Sequence, residues 1–203
     1  MSDWLNFISK LSFSKLWNAS LIYGSYFISK IAKKNYQTGL PFNISIEPTT
    51  TCNLGCPECP SGLKSFTRPT GNLEMDTYTK IIDQLDKKLV FAYFYFQGEP
   101  YLHPKFLDLV KYASSKGIYT ATSTNAHYLT DANARKTVES GLDRLIISID
   151  GTTQEVYEQY RIGGKLEKVL EGTRNIVKWK KELKSSTPHI IFQFLVVKPN
   201  EHQ

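Results

Sequence analysis

Ile44-Ser45-Ile46-Glu47 runs into Pro48-Thr49-Thr50-Thr51-Cys52-Asn53-Leu54-Gly55-Cys56-Pro57-Glu58-Cys59-Pro60, and the reading of this junction decides the fold. The first four residues read as a strand, and the proline- and glycine-punctuated stretch after them as a loop. All three cysteines of the chain fall in that loop, at C-x3-C-x2-C spacing. An odd, clustered set makes a poor disulfide framework and points instead to a reducing compartment and a metal site. A short loop can wrap three thiolates around one face of an iron–sulfur cube, whose four corners cysteines normally fill. Three thiolates leave one iron open, a Lewis-acid position for a ligand by the logic of an open catalytic zinc. Tetrahedral zinc would want a fourth ligand at short spacing, and the nearest histidine, His103, belongs to another loop. Cys52, Cys56 and Cys59 are thus the expected ligands of a 4Fe–4S cluster, with a zinc site or merely structural thiols as the alternatives.

Downstream, strands and helices alternate. Helices are expected near 76–87, from after Pro104 to about Ser115, and over 131–140, 154–160 and 166–183. Strands are expected over 89–96, 119–123, 144–149 and 189–197. Thr130 opens one helix, and Gly117 and Gly141 stop two others. Strict alternation implies a parallel sheet with helices outside. The cysteines then sit at the C-terminal end of the first strand, where α/β barrels build active sites. Five strands without a closing unit leave a raw edge on the last one. The sequence is accordingly expected to be truncated on its C-terminal side, or completed by a partner.

Upstream, residues 1–41 read as a basic amphipathic helical segment, distinct from a core domain over 42–203. No acidic residue lies between Trp4 and Ile46, while Lys10, Lys15, Lys30, Lys33 and Lys34 do. Trp4, Leu5, Ile8, Leu11, Leu16, Trp17, Ile22, Tyr26, Phe27 and Ile31 mark an approximate helical stripe, with a break expected near 18–20 or at Gly24. Such helices either cover one end of the core domain or dock on an anionic membrane surface. No run approaches the roughly 18 apolar residues of a spanning helix. The chain's 41% hydrophobic content suits one sizeable core and argues against disorder. Its net charge of +6 is too evenly mixed over the core to call for nucleic acid.

Three further motifs end strands. In Gln97-Gly98-Glu99-Pro100, exposed carbonyls and a carboxylate suit a cationic amino group, and Gly98 permits close backbone approach. In Thr122-Ser123-Thr124-Asn125, short hydroxyls and an amide suit ribose hydroxyls or a carboxylate. Ser148-Ile149-Asp150-Gly151 is followed by Tyr160-Arg161-Ile162-Gly163-Gly164.

The cysteine loop, with these motifs, resembles the radical S-adenosylmethionine (radical SAM) superfamily from about residue 43 to residue 203. Ser148–Gly151 together with Tyr160–Gly164 looks like the peptide-modifying and sulfatase-maturing branch, which often carries a C-terminal SPASM domain. The resemblance implies part of a (β/α)6 TIM-like barrel. It implies that the open iron chelates S-adenosylmethionine, and that reductive cleavage yields a 5′-deoxyadenosyl radical for hydrogen abstraction. It places Gly98, Glu99, Ser123, Asn125, Ser148, Asp150 and Arg161 around that cofactor, with Arg161 reaching its carboxylate. No residue is assigned as the catalytic group. Two departures stand out: Gln97 replaces a glycine, and Glu58 stands where the family usually sets an aromatic residue against the adenine.

The expected substrate is a peptide or protein side chain, with a flavodoxin or ferredoxin as electron donor. The setting is cytoplasmic or at the inner face of the membrane. A membrane-associated enzyme acting on a lipid or saccharide is the alternative from the basic helices. A non-enzymatic electron carrier is the third reading, although a carrier normally spends four cysteines per cluster. The four histidines show no ligand spacing and read as surface or loop residues.

Overall fold

The computed structural model describes residues 2–203. Two N-terminal helices, α1 (Asp3–Ser9) and α2 (Phe13–Ala32), precede alternating elements. These are β1 (Asn43–Ser45), α3 (Pro60–Leu63), α4 (Met75–Leu85), β2 (Phe91–Tyr93), a 3-10 turn at Pro100–Leu102, and α5 (Phe106–Ser115). They continue as β3 (Tyr119–Thr124), α6 (Asp131–Glu139), β4 (Arg144–Ser148), α7 (Gln154–Tyr160), α8 (Leu166–Glu182) and β5 (His189–Gln193). The strands form one five-stranded sheet in the order β1-β2-β3-β4-β5, every neighbour parallel. This is the parallel sheet expected from the alternation, because each parallel return needs a helical crossover, and it fits the partial TIM-like α/β barrel that the family resemblance implies.

Side-chain alternation divides the sheet into two faces. Ala92, Phe94, Leu145 and Ile147 point outward into a core shared with Tyr78 and Ile82 of α4, Leu109 of α5, Val138 of α6, and Val169 and Ile176 of α8. The opposite parity carries Phe91, Tyr119 and Arg144 at the base, and Ser123 and Ser148 at the C-terminal end.

Helix α1 lies against the base. Phe7 packs on Phe91 and edge-on to Tyr119, and Asp3 bonds both Tyr119 and Arg144. Asn6 Nδ2 donates to the buried Asp143 carboxylate at 2.8 Å, which also takes Thr120 N at 2.8 Å. Helix α1 thus covers one end of the sheet.

Some boundaries differ from the periodicity. The break between the N-terminal helices falls at 10–12, and α2 runs through Asn18 and Gly24. Ser12 Oγ caps α2 by accepting from Lys15 N, and Asn18 spends its amide on Leu40 across the helix face instead of on its own backbone. Strand β5 stops at Gln193 rather than 197, because Leu195 N turns to donate to Asp150 Oδ1 at 2.8 Å. The short α3 and the 3-10 turn were not signalled by periodicity. His103 is buried rather than superficial, with Nε2 3.0 Å from Leu73 O and Nδ1 accepting from Lys105 N at 3.1 Å.

Candidate functional site

The cysteine loop is fixed from three sides. Thr50 N donates to Gly71 O at 3.2 Å and Gly71 N to Thr50 Oγ1 at 3.0 Å. Glu99 N donates to Thr51 O at 2.8 Å, tying the loop to the end of β2. Gly55 N donates to Ile162 O at 2.9 Å, tying it to the turn after α7. Two glycines make this closeness feasible. Gly98 has φ +78°, and a Cβ there would sit 2.1 Å from Thr49 O. A Cβ on Gly62 of α3 would sit 2.5 Å from Cys56 O. Neither backbone neighbour can yield.

The three cysteines line a cavity of about 160 Å³ at the C-terminal end of the strands, with Glu99, Ser123, Asn125, Ser148 and Arg161 on its other walls. Each thiol meets a polar side chain from a different element. Asn125 Nδ2 lies 4.0 Å from Cys52 Sγ, Arg161 Nη1 3.8 Å from Cys56 Sγ, and Gln97 Oε1 3.4 Å from Cys59 Sγ. Burial pushes the Cys52 thiol up to about 11. Burial also pushes Cys56 up, against the opposing pull of the Arg161 guanidinium.

Among the described residues, no group of three or more His, Cys, Asp or Glu converges on a point that would hold one metal ion. That spacing does not count against a cube, where each thiolate binds a different iron. The donor set therefore fits a cluster: three thiols on one loop, on one cavity wall, each with a polar neighbour.

The other residues singled out in the sequence come together here in unequal roles. Glu99 is buried, and its carboxylate is held by Thr124 Oγ1 at 2.7 Å, Asn125 N at 2.8 Å and Tyr101 N at 3.2 Å. Burial raises its pKa, partly offset by those hydrogen bonds. Ser123 Oγ and Ser148 Oγ face each other at 3.5 Å on the cavity wall. Asn125 Nδ2 donates to Asn53 Oδ1 at 2.8 Å, linking β3 to the cysteine loop. Asp150 is fully buried and stands behind Arg161 rather than on the wall, accepting from Arg161 Nε at 2.5 Å.

Sequence reasoning missed Gln97 as a contact of Cys59 and Ser61. Its replacement of a glycine was the available signal. It also missed Tyr95 and Phe96, which line the cavity, whereas Glu58 is exposed and does not.

A model of the radical SAM superfamily matches residues 46–191. The chain is 32% identical over 164 residues to the tungsten-containing aldehyde ferredoxin oxidoreductase cofactor-modifying protein of Pyrococcus furiosus, covering 78% of this chain and 44% of that protein. It is 30% identical over 145 residues to the PqqA peptide cyclase of Bradyrhizobium diazoefficiens, covering 71% of this chain and 37% of that one. The chain thus spans less than half the length of these curated relatives. Among solved structures, native anSMEcpe with bound AdoMet superposes with a TM-score of 0.60 at 19% identity, over 76% of this chain and 43% of that one, a likeness of fold.

Proposed function

This chain belongs to the radical SAM superfamily, and from that premise we propose that it carries the cluster-binding part of an enzyme that modifies a peptide or protein side chain. Cys52, Cys56 and Cys59 would hold a 4Fe–4S cluster, and S-adenosylmethionine would bind beside it. The observation that carries this reading is the convergence of all three thiols on one cavity wall, opposite Glu99, Ser123, Asn125, Ser148 and Arg161. The chemistry that the cluster and S-adenosylmethionine supply when bound is one-electron cleavage of the sulfonium to a 5′-deoxyadenosyl radical, which takes hydrogen from a substrate.

The chain's own groups have separable tasks. The thiols must lose protons to ligate, and burial resists this, so loading releases protons and weakens as pH falls. Arg161 sets a positive charge beside Cys56, favouring its thiolate, and leaves a guanidinium edge for a carboxylate. Ser123 and Ser148 offer hydroxyls that donate or accept. Glu99, with both oxygens engaged internally, holds the 97–99 loop and the end of β3 in register. Asp150 positions Arg161. The peptide class is supported by the relative named as a peptide cyclase, and a ferredoxin or flavodoxin is the proposed electron donor.

Anaerobic reconstitution tests the site. The chain should take up about four irons and give a reduced-cluster electron paramagnetic resonance signal that changes when S-adenosylmethionine is added. Cys56→Ala should lose both. Full iron loading of Cys56→Ala, or a wild-type signal indifferent to S-adenosylmethionine, would overturn the assignment.

A further inference from the structure

Helix α2 is set into the protein the wrong way round for an ordinary surface helix. The residues it buries are polar: Lys15 is 4% exposed, Asn18 1% and Ser25 4%. The residues it presents to solvent are apolar: Phe13 at 82% and Ile31 at 84%, with Leu16, Trp17, Phe27 and Ile28 between them on the same side. An amphipathic helix normally does the opposite.

Long-range hydrogen bonds fix this rotation. Lys15 Nζ donates to Gly117 O at 2.6 Å and to Lys10 O at 3.0 Å. Asn18 is bonded twice to Leu40, through Nδ2 at 2.7 Å and Oδ1 at 2.9 Å. Ser29 Oγ accepts from Tyr36 N at 2.9 Å and donates to Tyr36 O at 2.7 Å. The chain returning after α2 therefore occupies its polar face, and turning the apolar face inward would strand these groups.

Helix α2 and the chain on either side of it carry charge of one sign only. No carboxylate lies between Trp4 and Ile46, and exposed Lys30, Lys33 and Lys34 cluster at the C-terminal end of α2. Trp17, Tyr23 and Tyr26 are exposed along α2, and such rings favour a boundary between apolar and aqueous phases. The apolar surface continues into a cavity of about 540 Å³ lined by Trp4 and Phe7 of α1, Leu11 of the turn between the helices, Leu16 of α2 and Phe91 of β2. No helix among the described residues is long and apolar enough to cross a membrane.

We propose that α2 lies in the plane of an anionic lipid surface, its apolar face in the acyl boundary and its terminal lysines among the headgroups. This attachment is independent of the cysteine site.

Sedimentation of the purified chain with vesicles tests it. Vesicles of phosphatidylglycerol and phosphatidylcholine in equal parts should bind the chain at low salt. Pure phosphatidylcholine, or screening by about 1 M salt, should largely abolish binding. Replacing Lys30, Lys33 and Lys34 together by alanine should weaken it roughly a hundredfold, at about fivefold per lysine. Phe27→Ser with Ile31→Ser should abolish it without unfolding, since both side chains face solvent, and circular dichroism checks that. Binding that ignores lipid charge and salt, or that survives the serine pair, would overturn the proposal. So would a chain that ignores vesicles and forms a dimer broken by the serine pair, which assigns the face to a second copy.

Discussion

Arg161 Nε donates to the buried carboxylate of Asp150 at 2.5 Å, while Nη1 of the same guanidinium stands 3.8 Å from Cys56 Sγ. One charge pair therefore links the end of β4 to the cysteine loop. The Arg161 side chain keeps 18% of its exposure and Asp150 none, so the partners are not equivalent.

Arg161→Ala strands an unexposed carboxylate and should cost about 3–5 kcal/mol of folding stability. Asp150→Asn leaves a cation with some access to water and should cost less. The double variant should lose less than the sum of the two. Urea denaturation of the iron-free chain reads all three, and strictly additive losses would show that the pair is not coupled.

Gly98 and Gly24 give a contrast within one residue type. Gly98 combines φ +78° with a backbone carbonyl 2.1 Å from where a Cβ would lie. Gly98→Ala should destabilise by about 3 kcal/mol or more and impair iron uptake, because the cysteine loop itself must move. Gly24 lies inside α2 with nothing within 4 Å of a built Cβ. Gly24→Ala should stabilise by about 1 kcal/mol, raising Tm by roughly 2–4 °C. Thermal melts of the two variants check both signs.

His127 ties the loop after β3 to the approach to α8. Its Nε2 accepts from Lys165 N at 2.8 Å, and its Nδ1 lies 2.9 Å from Asn125 O, an arrangement that needs the neutral ring protonated on Nδ1. Burial, aided by Lys168 and Arg161, lowers its pKa below the ordinary 6.5. The unfolded chain then takes up this proton first as pH falls. The stabilisation is fully present above pH 6.5 and is lost as pH drops through the lower folded value. Unfolding free energy measured against pH should decline in that acidic window, and His127→Gln should flatten that part of the profile. An unchanged profile would show that another group titrates there.

Much of this arrangement was legible in local sequence. The cysteine spacing is a property of a short loop, and three thiols within eight residues at a strand end must share a neighbourhood. The alternation of strand and helix followed from periodicity and from stops such as Gly117 and Gly141, whose φ values of +69° and +77° suit glycine. The motifs at Gly98–Glu99, Ser123–Asn125 and Ser148 reached one cavity because parallel strands all end on the same side.

The division of labour within that neighbourhood was not legible. Whether a carboxylate lines a cavity or braces an arginine depends on contacts between distant elements, as with Asp150 serving Arg161 on one oxygen and Leu195 on the other. Gln97 became a neighbour of Cys59 only because the loops after β1 and β2 are laid side by side.

Helix α2 marks the boundary most sharply. Its composition, its acid-free stretch and its apolar stripe are written in the sequence and predicted an amphipathic helix. Which face turns inward is not, because periodicity fixes the angles between side chains and says nothing about the rotation of the whole helix. That rotation is set by Lys15 reaching Gly117, 102 residues on, and by Asn18 and Ser29 closing on the returning chain. The sequence determined an amphipathic helix and a three-thiol loop. Tertiary hydrogen bonds, which buried polar groups must find, decided that the helix shows its apolar side to the outside.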